Sequence, residues 1–205
     1  MKQKWFSTVG YFHQDKALTV RKLMDQYITQ DSVCVEIGVF CGKSLMHLVE
    51  NSSPKRIIAV DPFEGQVSDT IVGHAIEFHT ETSHAMQFDL GTVDYNIHYD
   101  YDKVKRMFKD YPHVELIKAY SPIPDLELPT IDFAFIDGDH TLSGIINDLE
   151  WVYPVSDGVI VIDDIAILDV RQGVEAFCEQ HNITYHQTHN VYDGTDIAWI
   201  ITEKG

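Results

Sequence analysis

Residues 33–61 begin Val33-Cys34-Val35-Glu36-Ile37-Gly38-Val39-Phe40-Cys41-Gly42-Lys43-Ser44, continue through Leu45, Leu48 and Val49, and end Arg56-Ile57-Ile58-Ala59-Val60-Asp61. The first run is β-rich and stops at a glycine. The last is continuously apolar and stops at an acid. Between them apolar residues recur three and four apart, so the stretch reads strand, helix, strand, with strands covered on both faces rather than alternating in and out.

The same rhythm extends in both directions. Ala17, Val20, Met24, Tyr27 and Ile28 predict a helix before it. After it, Tyr101, Val104, Phe108 and Tyr111 predict a helix, 114–117 a third strand and 131–136 a fourth. The strongest helical stripe is Leu142, Ile145, Ile146, Leu149, Val152 and Tyr153, with Thr141 at the N-cap position. Residues 158–162 predict a fifth strand ending in Asp163-Asp164, and Val170, Val174, Phe177 and Cys178 a last helix. Two extended stretches, 183–191 and 197–202, flank Asp193-Gly194, a hairpin signal. The expected fold is α/β: a Rossmann-like, doubly wound, mostly parallel seven-stranded sheet with an antiparallel C-terminal hairpin.

A chain of 205 residues, 44% hydrophobic and without a Gly/Ser/Pro-rich linker, is expected to form a single domain over 1–205, with an N-terminal helical extension at 1–31. Residues 66–99, rich in His, Thr, Asp and Gly without periodicity, read as an insertion or lid. No run has the length of a membrane span or the character of a signal peptide, and Cys34, Cys41 and Cys178 fit neither a disulfide framework nor a zinc spacing. The expectation is a soluble, cytoplasmic protein with no membrane partner. With 32 acidic and 15 basic residues the formal charge is −17, which argues against nucleic acid as a partner.

In open α/β sheets ligands bind beyond the carboxyl ends of the strands. Those positions here hold Glu36-x-Gly38-x-x-x-Gly42, Asp61, Asp137-Gly138-Asp139-His140 and Asp163-Asp164. The glycine loop is not a Walker A loop, since three residues separate its glycines where four are required. It also lacks the middle glycine of a dinucleotide fingerprint, because Phe40 stands there. It suits a ligand with a zwitterionic amino acid end and a ribose: Gly38 and Gly42 permit close approach, and Asp61 offers an acceptor to ribose hydroxyls. S-adenosylmethionine is such a ligand.

From about Val33 to Thr202 the sequence resembles class I S-adenosylmethionine-dependent methyltransferases. VEIGVFCGKS resembles the first motif of the catechol O-methyltransferase group, which implies that Glu36 and Ser44 contact the methionine portion of the cofactor and Phe40 packs on it. IDFAFIDGDHTLSGIINDLEWV resembles the DGxH segment of sugar and catechol O-methyltransferases. That likeness implies a magnesium ion held by Asp137, Asp163 and Asp164, a small hydroxylated molecule as acceptor, and a base that is His140 on the catechol pattern or Asp139 on the sugar pattern. Hard oxygen ligands on neighbouring strands suit Mg²⁺, and coordination lowers a hydroxyl's pKa. The resemblance further places Phe63 over one adenine face and Ser121 at the adenine edge, with Asp137 also beside the cofactor.

The histidines at 74, 79 and 84 are too poorly phased for a zinc site on one helix face and are candidates for the acceptor pocket. Trp5, Phe6, Tyr11 and Phe12 are candidates for closing that pocket, anchoring the N-terminus or forming a homodimer contact. Two rival functions stand beside the methyltransferase: a cofactor-binding interaction module without catalysis, and a nicotinamide-dependent oxidoreductase.

Overall fold

The computed structural model describes residues 14–63, 101–188 and 197–202, and the side chains within them from residue 18 onward. The expectations for the N-terminal aromatics, the 66–99 insertion with its three histidines, and the Asp193-Gly194 turn lie outside the described residues. The elements are α1 (Gln14–Tyr27), β1 (Val33–Ile37), α2 (Lys43–Asn51), β2 (Arg56–Asp61), α3 (Tyr101–Met107), β3 (Val114–Lys118), β4 (Ile131–Ile136), α4 (Leu142–Val152), β5 (Ser156–Ile162), α5 (Leu168–His181), β6 (His186–Gln187) and β7 (Ala198–Ile201). No described helix is long and apolar enough to cross a membrane.

The strands form one seven-stranded sheet in the order β3-β2-β1-β4-β5-β7-β6. The first five pair in parallel, and β7 runs antiparallel to both β5 and β6. This is the Rossmann-like arrangement expected from the sequence. The chain moves outward from β1 to β3 and then returns to β4, so strand order reverses between β1 and β4, the position where open sheets of this kind form a ligand crevice.

Strand alternation sends side chains to two cores. Cys34, Ile57, Ala59, Phe133 and Phe135 pack with α1, α2 and α3, while Val35, Ile58, Val60, Ala134 and Ile136 pack with α4 and α5. Glu36 is two residues after Cys34 and so projects from the same face, towards the start of α2. The termini of the helices are fixed locally: the Thr141 hydroxyl accepts a 3.1 Å hydrogen bond from the Gly144 amide, and Asn182 closes α5 in the left-handed conformation. β5 starts two residues before the apolar run does. Ser156 is fully buried because its hydroxyl donates to the Val152 carbonyl at 3.0 Å.

Candidate active site at the switch point

The β1 to α2 connection bends sharply enough to require glycine twice. Gly38 has φ +84°, and a Cβ there would sit 1.8 Å from the Asp137 carbonyl oxygen. Gly42 has φ +80° and immediately precedes α2. Both values lie where L side chains are disfavoured. Phe40 and Phe63 adopt positive φ as well, at 48° and 47°.

Asp61 organises this bend. One of its oxygens accepts from the amides of Val39 and Phe40 at 2.8 Å each, and the other from the Phe63 amide at 2.6 Å. Three of its roughly four acceptor positions are thereby spent on backbone, a role that the sequence alone did not suggest beside the ribose contact. Asp61→Ala is expected to lower the stability of the ligand-free protein by roughly 2–4 kcal/mol, because three N–H groups lose a charged acceptor, and to weaken S-adenosylhomocysteine binding at least tenfold. Thermal melts and calorimetry would check both. An unchanged melting temperature would contradict the role given to this carboxylate.

Glu36 is 1% exposed and accepts from the Ser44 hydroxyl at 2.7 Å. Burial pushes its carboxyl up to about 8 against the lowering effect of Ser44; the charges of Asp137 and Asp61 push the same way as burial, and a bond from the Leu45 amide opposes them. A positively charged ligand group beside it would favour the ionised form. Phe63 is buried and meets Tyr101 edge to face with ring centres 5.3 Å apart. Ser121 is half-buried on the turn after β3.

On the β4 and β5 side, the Asp137 amide donates to the Ile37 carbonyl and the Asp163 amide to the Ile136 carbonyl, at 2.8 and 2.9 Å, holding the three strand ends level. His140 Nε2 lies 3.2 Å from Asp137 Oδ1 and 3.6 Å from Asp164 Oδ2. Donor atoms of Asp137, His140 and Asp164 all fall within 4.8 Å of one another, close enough to share a cation. Asp163 is 5% exposed, and its Oδ1 accepts from the Asp164 amide at 2.7 Å. Asp164 itself has φ +53°. The structure thus groups two of the three expected carboxylates with His140, one of the two candidate bases. Burial lowers the His140 pKa, but the hydrogen bond and charge of Asp137, with Asp164 and Asp163, outweigh it and raise the ring to about 9.

Asp139 points elsewhere. It is exposed and accepts from the Thr141 amide at 3.0 Å and the Thr141 hydroxyl at 3.1 Å, supporting the start of α4.

The chain matches the family described as methyltransferase domain over residues 35–165, more than half its length. It is 32% identical over 148 residues to an uncharacterised protein of Acanthamoeba polyphaga mimivirus, an alignment covering 71% of this chain and 57% of that protein, so the chain spans little more than half the relative's length. Among solved structures, a precorrin-6y methyltransferase from Geobacter metallireducens superposes with TM-score 0.61 at 17% identity, covering 100% of this chain and 97% of that one. An O-methyltransferase from Bacillus cereus in complex with S-adenosylhomocysteine gives 0.57 at 18% identity, covering 93% and 82%. At such identities the superpositions establish the fold. Together with the sequence match, they show that the chain belongs to the methyltransferase-domain family and has the Rossmann-like fold of class I methyltransferases.

Proposed function

We propose that this protein is an S-adenosylmethionine-dependent O-methyltransferase acting with a divalent cation on a small hydroxylated molecule. The observation that carries the reading is the convergence of Asp137, His140 and Asp164 at the strand ends, beside the Gly38 bend, Glu36 and Asp61. The carboxylates of Asp137 and Asp164, on partly exposed positions, suit a small divalent cation such as Mg²⁺ or Mn²⁺, with Asp163 the nearest further acid in sequence and His140 beside the cation as the base rather than a ligand. When bound, the cofactor supplies a sulfonium-activated methyl group and the cation supplies charge that lowers the pKa of a hydroxyl.

The chain's own contribution is positioning and proton transfer. Gly38 and Gly42 bring backbone close to the ligand, and Glu36 with Ser44 faces the methionine portion. Phe40 packs against that portion, and Ser121 and Phe63 flank the adenine. His140 Nε2 accepts the hydroxyl proton, because it is the ring atom that faces both carboxylates. Asp139 serves the helix start. The three unpaired thiols support a reducing, cytoplasmic compartment, and the charge of −17 supports a small molecule over nucleic acid as acceptor.

Calorimetric titration tests this reading: S-adenosylhomocysteine should bind and NAD should give no heat. Mn²⁺ should bind to the wild type and at least tenfold more weakly to Asp137→Asn, which removes one anionic ligand. Binding of NAD without S-adenosylhomocysteine would overturn the cofactor. Methyl transfer indifferent to a chelator would remove the metal and leave a metal-free methyltransferase.

A further inference from the structure

The His140 ring has polar partners on one side only. Nε2 lies 3.2 Å from Asp137 Oδ1 and 3.6 Å from Asp164 Oδ2, while Nδ1 is buried and has no hydrogen-bond partner. An imidazole with a chemical role is ordinarily oriented by the bond that its other nitrogen makes. Without that bond, the direction of this ring depends on the backbone that carries it.

That backbone is seated by contacts that leave no room for side chains. On the β1 side, a Cβ on Gly38 would fall 1.8 Å from the Asp137 carbonyl oxygen and 2.8 Å from the Gly138 nitrogen. Beneath the turn, a Cβ on Gly138 would lie 3.0 Å from Ile37 Cγ2 and 3.0 Å from Oδ2 of Asp148, an acid 1% exposed on the inward stripe of α4. On the α4 side, a Cβ on Gly144 would fall 2.6 Å from both Cβ and Cγ of Asp139 and 2.7 Å from its carbonyl oxygen. The last contact matters most, because that carbonyl belongs to the peptide joining Asp139 to His140. The Thr141 hydroxyl donates to the Asp139 carboxylate and accepts from the Gly144 amide, which ties residue 139 down onto residue 144. Gly144 lies in the first turn of α4, where alanine is the better helix former, so what glycine contributes there is the vacant side-chain position.

We propose that Gly144 is a positioning residue for His140: its bare Cα seats the side chain and carbonyl of Asp139, which fixes the backbone of residue 140 and directs the ring at Asp137 and Asp164. The inference deepens the proposed function, on which the ring's role as base rests. The direction of the ring can be read without that role.

The test is NMR of the ligand-free full chain with isotopically labelled histidine rings, in which the His140 resonances are those missing from His140→Ala. Gly144→Ala should displace them or broaden them beyond detection. Asp139→Gly, which removes the two side-chain atoms that rest on Gly144, should do the same, whereas Asp139→Asn keeps both atoms and should leave the resonances sharp and close to their wild-type positions. Calorimetry on these variants should give S-adenosylhomocysteine and Mn²⁺ affinities within about threefold of the wild type. Glu36 and Asp61 stand on other strands, and Asp137 is held by its own amide bond to the Ile37 carbonyl. A merely structural role would lower the melting temperature and leave the ring where it is. Wild-type resonances in a folded Gly144→Ala or Asp139→Gly protein would therefore overturn the proposal, as would resonances that move together with a roughly tenfold loss of both affinities, which is collapse of the whole site. Asp139 is exposed, so Asp139→Gly decides the matter where Gly144→Ala does not fold. If the wild type binds neither S-adenosylhomocysteine nor Mn²⁺, the proposed function fails while the contrast among the ring resonances still stands; if it binds both and the ring stays in place in the variants, only this inference fails.

Discussion

His140→Ala should reduce turnover by roughly 10² to 10⁴, the usual reach of general base catalysis, while S-adenosylhomocysteine affinity stays within about threefold. The asymmetry follows from where the ring lies. Its Nε2 faces Asp137 and Asp164, whereas Glu36, Ser44 and the Asp61-supported loop stand on the other side of the switch point. The pH profile separates a base from a structural residue. With its pKa raised to about 9 by neighbouring carboxylates that outweigh burial, ligand-free His140 is protonated at neutral pH and cannot accept a proton. Turnover should therefore rise with pH, and the midpoint should move downward when Mg²⁺ or Mn²⁺ is raised, because the carboxylates that retain the proton are also the proposed cation ligands.

The same ring gives a readout independent of activity. A histidine whose folded pKa lies near 9 and whose ordinary value is 6.5 contributes stability that is complete below about 6.5 and is lost as pH rises through about 9. In the metal-free protein, wild-type melting temperature should fall across that window, and His140→Ala should flatten the fall. Asp139→Asn is the matched comparison. Its carboxylate is bonded to Thr141 rather than directed at the cluster, so the variant should keep turnover within severalfold. Should Asp139→Asn abolish turnover while His140→Ala leaves rate and pH profile intact, the two roles are exchanged.

The fold was legible because its strands announce themselves locally: β1, β2 and β4 are apolar runs that stop at glycine or an acid, and β7 follows a hairpin signal. Errors fell where burial of a polar group depends on a partner distant in space or on the backbone of the turn before. Ser156 is a strand residue because of a bond to Val152, which no apolar pattern reveals. The strand-end acids could be located from sequence, but not their rotamers. Asp61 turns back to three amides, Asp163 to the amide of its neighbour, and Asp164 towards His140, and that division decides which groups remain for ligands. Asp148 was missed although it left a signal: an acid three residues after Ile145 and one before Leu149 occupies the inward stripe of the clearest helix in the chain. The acceptor is unreadable for a different reason, since the segment that would shape its pocket has no periodicity to interpret.

Among the described glycines, Gly38→Ala should be the most damaging substitution. Its Cβ would lie 1.8 Å from the Asp137 carbonyl oxygen and 2.3 Å from the carbonyl carbon, which are backbone atoms that cannot rotate away, and the residue must also hold φ at +84°. Strain at such an angle and a backbone clash add, so the expected loss is about 3 kcal/mol or more, enough to unfold a marginally stable domain. If the chain folds at all, β1 and β4 must separate at their carboxyl ends, which displaces the loop held by Asp61 and the Asp137 carboxylate together. Binding of S-adenosylhomocysteine and of Mn²⁺ should then both fail. Gly42→Ala is the control with the same backbone demand, φ +80°, but a different obstacle: its Cβ would meet the Phe108 ring at 2.9 Å, a side chain that can shift. That variant should fold, losing roughly 1–2 kcal/mol for the left-handed conformation, and should keep Mn²⁺ affinity because Asp137 is not disturbed. Urea melts with both ligands would read the contrast. A Gly38→Ala protein that binds cofactor and cation like the wild type would show that the contact between the β1 and β4 turns does not hold the two halves of the site in register.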